Sequence, residues 1–127
     1  MTMMIETMFS HSNILERALD AAQTRDKVIS HNIVHVDTPG YKKKQVAFEE
    51  YLQKALDSNE RPSQIDLSSL SPKVIQPMDS TRYRKDENNV DIDVETVEQI
   101  KNYLRYQALS DQVSHDIKRF RTVLNAR

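Results

Sequence analysis

The chain of 127 residues holds a single glycine, Gly40, directly after Pro39 in the stretch DTPGYKKK, Asp37 to Lys44. No proline or glycine precedes this pair, so nothing before it breaks a helix by backbone chemistry alone. Thr38, ahead of a proline, is pushed out of the α region. Pro39 removes a backbone donor, and Gly40 accepts a positive φ. Thr38 to Tyr41 therefore read as a type II turn with Pro39 second and Gly40 third. The helix stops here and the chain changes direction. Lys42, Lys43 and Lys44 follow, and folded back they suit the negative end of the helix dipole.

Ahead of the turn, Met8, Leu15, Ala22, Ile29 and Val36 recur every seven residues, with Ile5, Leu19 and Ile33 on an adjacent row. This is a 3.5-type seam, interrupted at Ser12 and Asp26. It predicts an N-terminal helix over residues 1–37, about 43 Å from Met8 to Val36 at ~1.5 Å per residue. Residues 38–91 read as the turn, a short helix from Gln45 to Leu56 carried by Phe48, Leu52 and Leu56, and a polar irregular stretch. From Asp57 to Asn89 the apolar pattern dissolves among Pro62, Pro72 and Pro77, so this part reads as a mobile loop. Its PKVIQPM segment suits a brief extended piece.

Residues 92–127 predict a second helix, about 50 Å long at ~1.5 Å per residue. Its stripe is Val97, Ile100, Leu104, Ala108, Val113, Ile117, Phe120 and Leu124, which drifts around the helix. Either Asp91 or Asp93 can be the N-cap, and Glu95 and Glu98 suit the positive dipole end. Lys118, Arg119, Arg121 and Arg127 suit the negative end. The expected fold is all-α and a single unit. Two long amphipathic terminal helices pack as an antiparallel hairpin or coiled coil, and the polar middle holds short β or helical pieces.

Only 38% of the residues are hydrophobic and 6% aromatic, with no tryptophan. That is thin for a closed core at this length, so the helices are expected to finish burying their apolar faces on partners. A net charge of −1 gives no overall field toward nucleic acid or membrane. The absence of cysteine excludes disulfides and thiol chemistry. No basic n-region with an unbroken apolar run opens the sequence, so a cleaved secretory signal is not expected. No apolar run nears the ~20 residues that span a bilayer.

Candidate chemical sites are sparse. His31 and His35 are four apart on one helical face with Asp37 near, a metal-ligand spacing. No third ligand or general-base glutamate accompanies them, so two surface or interface histidines are expected and no metal or other cofactor. YKKKQ and TRYRK mix basic residues with tyrosine, but both are short in a neutral chain, so solvated or salt-linked faces are expected. Asp91, Asp93, Glu95 and Glu98 read as capping and dipole residues rather than a carboxylate site. Asn88 and Asn89 read as turn formers, and Tyr103 and Tyr106 as interface anchors or ordinary packing.

Two blocks carry a resemblance. SHNIVHVDTPGYKKKQVAFEEYL resembles the N-terminal signature of the flagellar axial rod and hook proteins. NNVDIDVETVEQIKNYLRYQAL resembles the C-terminal signature of their proximal rod branch. The first signature maps onto Asn32, Ile33, Thr38, Pro39, Gly40, Tyr41 and Lys42. The second maps onto Asn88, Asn89, Val90, Asp91, Asp93, Asn102, Leu104, Tyr106, Gln107, Ala108 and Leu109. His31 and His35 stand where asparagines are usual, Val34 where alanine is usual, and Glu87 where a glycine often stands.

The resemblance implies a structural subunit with no substrate or catalysis, oligomeric in the rod of the bacterial flagellar basal body. Implied partners are other rod proteins, the membrane-ring junction proteins and the flagellar type III export apparatus. Nucleic acid and direct membrane insertion are not implied. The implied location is outside the cytoplasmic membrane, and the turn would set the angle between the first helix and the rest of the subunit. The alternative is a cytosolic helical adaptor or export chaperone that presents amphipathic helices to clients.

Overall fold

The computed structural model describes residues 2–58, 61–77, 85 and 87–126, with side chains from residue 9 onward apart from Pro62. Helix α1 runs Thr2–Val34, strand β1 Gln45–Ala47, helix α2 Glu49–Asp57, strand β2 Lys73–Ile75 and helix α3 Ile92–Asn125. Two 3₁₀ turns, Pro62–Gln64 and Leu67–Leu70, lie between α2 and β2. The fold is mostly helical with long helices at both ends, but it is not all-α. β1 and β2 form an antiparallel pair with Gln45 opposite Ile75, Val46 opposite Val74 and Ala47 opposite Lys73.

The α1 seam turns inward as its spacing requires: Leu15, Ala22 and Ile29 are all buried. The side chains of Ile5 and Met8 lie outside the described residues. α1 and α3 meet through Asn32 with Glu95, Ala22 with Asn102, His11 with Asp116, and Phe9 with Phe120. One number rises as the other falls, so the two helices run antiparallel.

The main apolar cluster does not lie between these helices. It joins Ala21 of α1 to Phe48, Ile65 and Leu70 of the middle region, with Ile14, Tyr51 and Leu52 packed around it. Phe48 and Leu70 are 2% and 0% exposed. Full burial of such side chains contributes about 1.5–3 kcal/mol each. Ile65 and Leu70 are therefore held against α1, and Lys73–Ile75 pairs with β1, so this stretch is not a loose loop.

Local chemistry explains the ordered turns there. Asp66 caps the second 3₁₀ turn, its Oδ1 accepting from the Ser68 N–H at 2.9 Å and the Ser68 hydroxyl at 2.7 Å. These bonds hold the Asp66 carboxyl below its usual range. The helix expected over Gln45 to Leu56 is a strand followed by a shorter helix. Of its apolar marks, Phe48 is core, Leu52 packs at the core's edge and Leu56 is 54% exposed. Part of the expected loop, residues 59–60, 78–84 and 86, lies outside the described residues, as does TRYRK apart from Lys85.

Candidate functional site

At the corner the backbone does what its sequence dictates. The Tyr41 N–H donates to the Thr38 carbonyl at 3.3 Å, and Gly40 has φ +74°. That bond closes the turn over Pro39 and Gly40, and the φ suits the third position of a type II turn. A Cβ at Gly40 would meet nothing within 4 Å, so the need for glycine is conformational and not steric.

Three buried asparagines, Asn32, Asn88 and Asn89, bind this corner to α3 and the segment leading into it. The Asn32 amide nitrogen donates to the Lys44 carbonyl at 2.8 Å and to Glu95 Oε2 at 3.1 Å. Its oxygen accepts from the Tyr41 hydroxyl at 2.8 Å and the Lys44 N–H at 3.0 Å. Asn88, 0% exposed, aims its amide nitrogen at the carbonyls of His35, Val36 and Thr38, at 2.9, 3.0 and 2.9 Å. Its oxygen accepts from the Val90 N–H at 2.8 Å. Asn88 thereby caps the C-terminal end of α1 from fifty or more residues away in sequence. Asn89 Oδ1 accepts from the Lys43 N–H at 2.7 Å. Asp91 is the N-cap of α3, accepting from the N–H groups of Asp93 and Val94 at 3.0 and 3.4 Å.

Glu95 is the member that sequence reasoning missed. It is 4% exposed, bonded by Asn32, with Lys43 Nζ 4.0 Å away. Burial, and then the Glu95 carboxylate, push the Tyr41 phenol above its usual value. A second polar bridge lies about two turns back along α1. Glu49 accepts from Arg25 Nη2 at 2.6 Å and lies 3.4 Å from Arg105 Nη1, so it links α1 to α3. Although partial burial opposes it, these two cations hold the Glu49 carboxyl below its usual range.

The four departures from the family pattern acquire a physical reading. Val34 is 76% exposed. Glu87 adopts φ +63°, a conformation that glycine takes without strain, and its carbonyl accepts from Lys42 Nζ. His31 and His35 stack on each other with ring centres 4.2 Å apart, and His35 stacks on Tyr41 at 4.8 Å.

α3 is turned opposite to the expectation. Its buried residues are Glu95, Asn102 and Asp116, all polar and spaced seven or more apart on the side toward α1. Val97, Ile100 and Leu104, read from the sequence as the pairing stripe, are 50%, 57% and 60% exposed. At about 100° per residue they lie on the far side of the helix from Asn102. Only Val113 and Phe120 of that stripe turn partly inward. Asn102 donates to the Ala22 carbonyl at 2.8 Å, and Leu109 is half-buried further along the same side. Beside this contact a cleft of about 830 Å³ opens, lined in part by Asp26, Ile100, Asn102, Tyr103 and Tyr106.

Of the sequence-predicted residues, Asn32, Thr38, Pro39, Gly40, Tyr41, Asn89, Val90, Asp91 and Asp93 gather at the corner, with Ile33 half-buried on the last turn of α1. Asn102, Leu104, Tyr106 and Leu109 lie further along α3. Among the described residues no group of three metal-ligating side chains gathers, and no helix is long and apolar enough to cross a membrane.

The chain is 34% identical over 116 residues to the flagellar basal body rod protein FlgB of Bacillus subtilis, covering 87% of this chain and 89% of that protein. The chain belongs to the FlgB family of flagellar basal body rod proteins. FlgB of Borreliella burgdorferi is 30% identical over 131 residues, covering 91% of this chain and 93% of its own. FlgB of Escherichia coli is 27% identical over 136 residues, covering 97% and 99%. The chain matches no protein-family model. FlgB proteins are structural rod components and not enzymes. A FlgB-family reading accounts for a chain whose buried polar residues form a brace and whose α3 residues Val97, Ile100 and Leu104 face out.

Proposed function

We propose that the chain is a structural subunit of the proximal rod of the bacterial flagellar basal body, oligomeric in the rod and linking the membrane ring to the distal rod and hook. It polymerises through its terminal helices. The observation that carries the reading is the inverted α3. Val97, Ile100 and Leu104 face solvent while Glu95, Asn102 and Asp116 face α1. In an isolated chain this leaves apolar area in water. Against a neighbouring subunit the same area contributes roughly 25 cal/mol per Å² buried.

The corner has a separate role. The brace of Asn32, Tyr41, Asn88, Asn89 and Asp91 fixes the angle at which α1 leaves the turn, so every copy offers the same geometry to its neighbours. Other rod proteins and the membrane-ring junction proteins are the partners in this account. The flagellar type III export apparatus delivers the chain, without signal cleavage, to a rod outside the cytoplasmic membrane.

Leu104→Glu tests the assembly face. The side chain is 60% exposed, so the variant is expected to keep its helix content and thermal stability while failing to enter purified basal bodies. Incorporation at the level of the unaltered chain would overturn the assignment of this face.

A further inference from the structure

We propose that the groove between α1 and α3 seats α3 of a second copy of this chain, so that two free copies close into an antiparallel four-helix bundle. The cleft of about 830 Å³ lies in this groove, with Ala22 and Asn102 among its lining residues. Its α3 wall continues along one flank of the helix. At about 100° per residue, Ile92, Thr96, Gln99, Tyr103, Ser110 and Ile117 share that flank, and no charged residue falls on it between Ile92 and Ile117. Ile92, Tyr103 and Ile117 are 47%, 60% and 48% exposed. Asp93 and Asp111 border the flank and lie out of register with each other. A charged partner would lose hydration against such a surface. A second copy brings the same uncharged flank and matches it.

Charge complementarity selects the second copy and its direction. On α1 the rim of the cleft includes Gln23 and Lys27. Glu16 lies on the same flank, within about 40° of both by helical period, and Glu16 and Lys27 are exposed. These two charges are centred between Ala21 and Ala22. The uncharged flank of α3 is centred between Leu104 and Arg105. The bond from Asn102 to Ala22 and the approach of His11 to Asp116 put the two centres at one height, within a helical turn. A single two-fold axis through both centres therefore sets Ile92 level with Ile117 of the second copy and Tyr103 level with Tyr106. The same axis brings Glu16 level with Lys27 twice, once in each direction. Arg17 falls level with Asp26 and Asp20 with Gln23, so on α1 no like charges meet. A parallel second copy would instead set Glu16 beside Glu16 and Lys27 beside Lys27. Antiparallel α3 helices also oppose their dipoles. A two-fold pair is closed and does not propagate, so it covers the groove of a free subunit rather than building a filament. That role rests on the reading of α3 as an assembly face; the pairing itself does not.

Analytical ultracentrifugation of the full chain tests the pairing. The unaltered chain is expected to show a monomer–dimer equilibrium that stops at the dimer. Glu16→Lys and Lys27→Glu each turn two attractions into two repulsions, and each variant alone is expected to weaken the dimer about tenfold. Mixed in equal amounts, the two variants restore both opposite-charge contacts across the axis, and a heterodimer as stable as the unaltered dimer is expected. The double variant is expected to pair with itself equally well. Both side chains are exposed, so unchanged circular dichroism and melting are expected to show that folding is intact. A chain that stays monomeric up to about 1 mM, a series that grows past the dimer, or single variants that pair as well alone as mixed would overturn the proposal. A monomeric chain that still enters basal bodies would refute the pairing and leave the rod reading standing. A dimeric chain absent from basal bodies would support the pairing and refute the rod reading.

Discussion

Replacing Asn88 by alanine removes the cap that α3's leading segment places on the end of α1. The side chain is fully buried. Its two N–H hydrogens serve three carbonyls, and its oxygen serves the Val90 N–H. Counting two donated bonds and one accepted bond at about 1 kcal/mol net each gives ~3 kcal/mol. The carbonyls left without a donor add to this wherever water cannot reach them. Out of a total of about 5–15 kcal/mol for a domain, that is a large fraction, roughly a hundredfold or more in the folding equilibrium.

Asn88→Asp sharpens the test. It keeps the shape and the acceptor for Val90 but points a negative charge at three carbonyls, so it is expected to destabilise at least as much as alanine. Denaturant unfolding at constant slope measures both losses. Hydrogen exchange locates them, with faster exchange expected at the Tyr41 and Lys43 amides in both variants and at the Val90 amide in the alanine variant. An aspartate variant as stable as the unaltered chain, or unchanged exchange at those amides, would refute the capping argument.

Other substitutions probe the remaining parts of the corner. Gly40→Ala has open space for its Cβ, so its loss is backbone strain alone, about 1–2 kcal/mol in thermal or denaturant unfolding; no loss would exclude the positive φ. Gly40→Val is expected to keep much of the helical circular dichroism while blocking rod formation, because a β-branched residue resists that φ more strongly. Glu87→Gly is expected to stabilise by about 1 kcal/mol through relief of the positive φ, leaving the Lys42 bond to the carbonyl of residue 87 in place; equal or lower stability would count against strain there.

For His31 the pKa is lower folded than unfolded, where it lies near 6.5. The unfolded chain then binds more protons as pH falls below about 6.5. Acidification through that range is expected to lower stability, and His31→Asn to remove that part of the slope. Melting curves from pH 7.5 to 5 check this, and parallel slopes would contradict it.

Much of this was legible in the residues. A first segment without glycine or proline, with Leu15, Ala22 and Ile29 at heptad spacing, had to be a long helix with that side buried. Pro39 and Gly40 dictated the turn, and Asp91 was one of two caps in reach. The α3 stripe misled for a physical reason. Apolar periodicity marks the side that is buried somewhere, and in this chain Val97, Ile100 and Leu104 are not buried by the chain itself. The inward side carries Glu95 and Asn102, whose burial is stabilised by partners on α1 that no local pattern reveals. The middle was misread because Ile65, Leu67 and Leu70 follow the short period of 3₁₀ turns, and the core partner Ala21 is distant in sequence. Asn88 was read as a turn former because its three acceptors lie fifty or more residues away. Glu87 carried a signal that went unused: a residue in place of a family glycine marks a candidate positive φ.

The central claim is that this chain builds the rod, and electron microscopy of basal bodies from a strain lacking its gene tests it most directly. The account predicts rings without rods in the deletion strain and complete rods when the intact gene is restored. Complete rods in the deletion strain would contradict it.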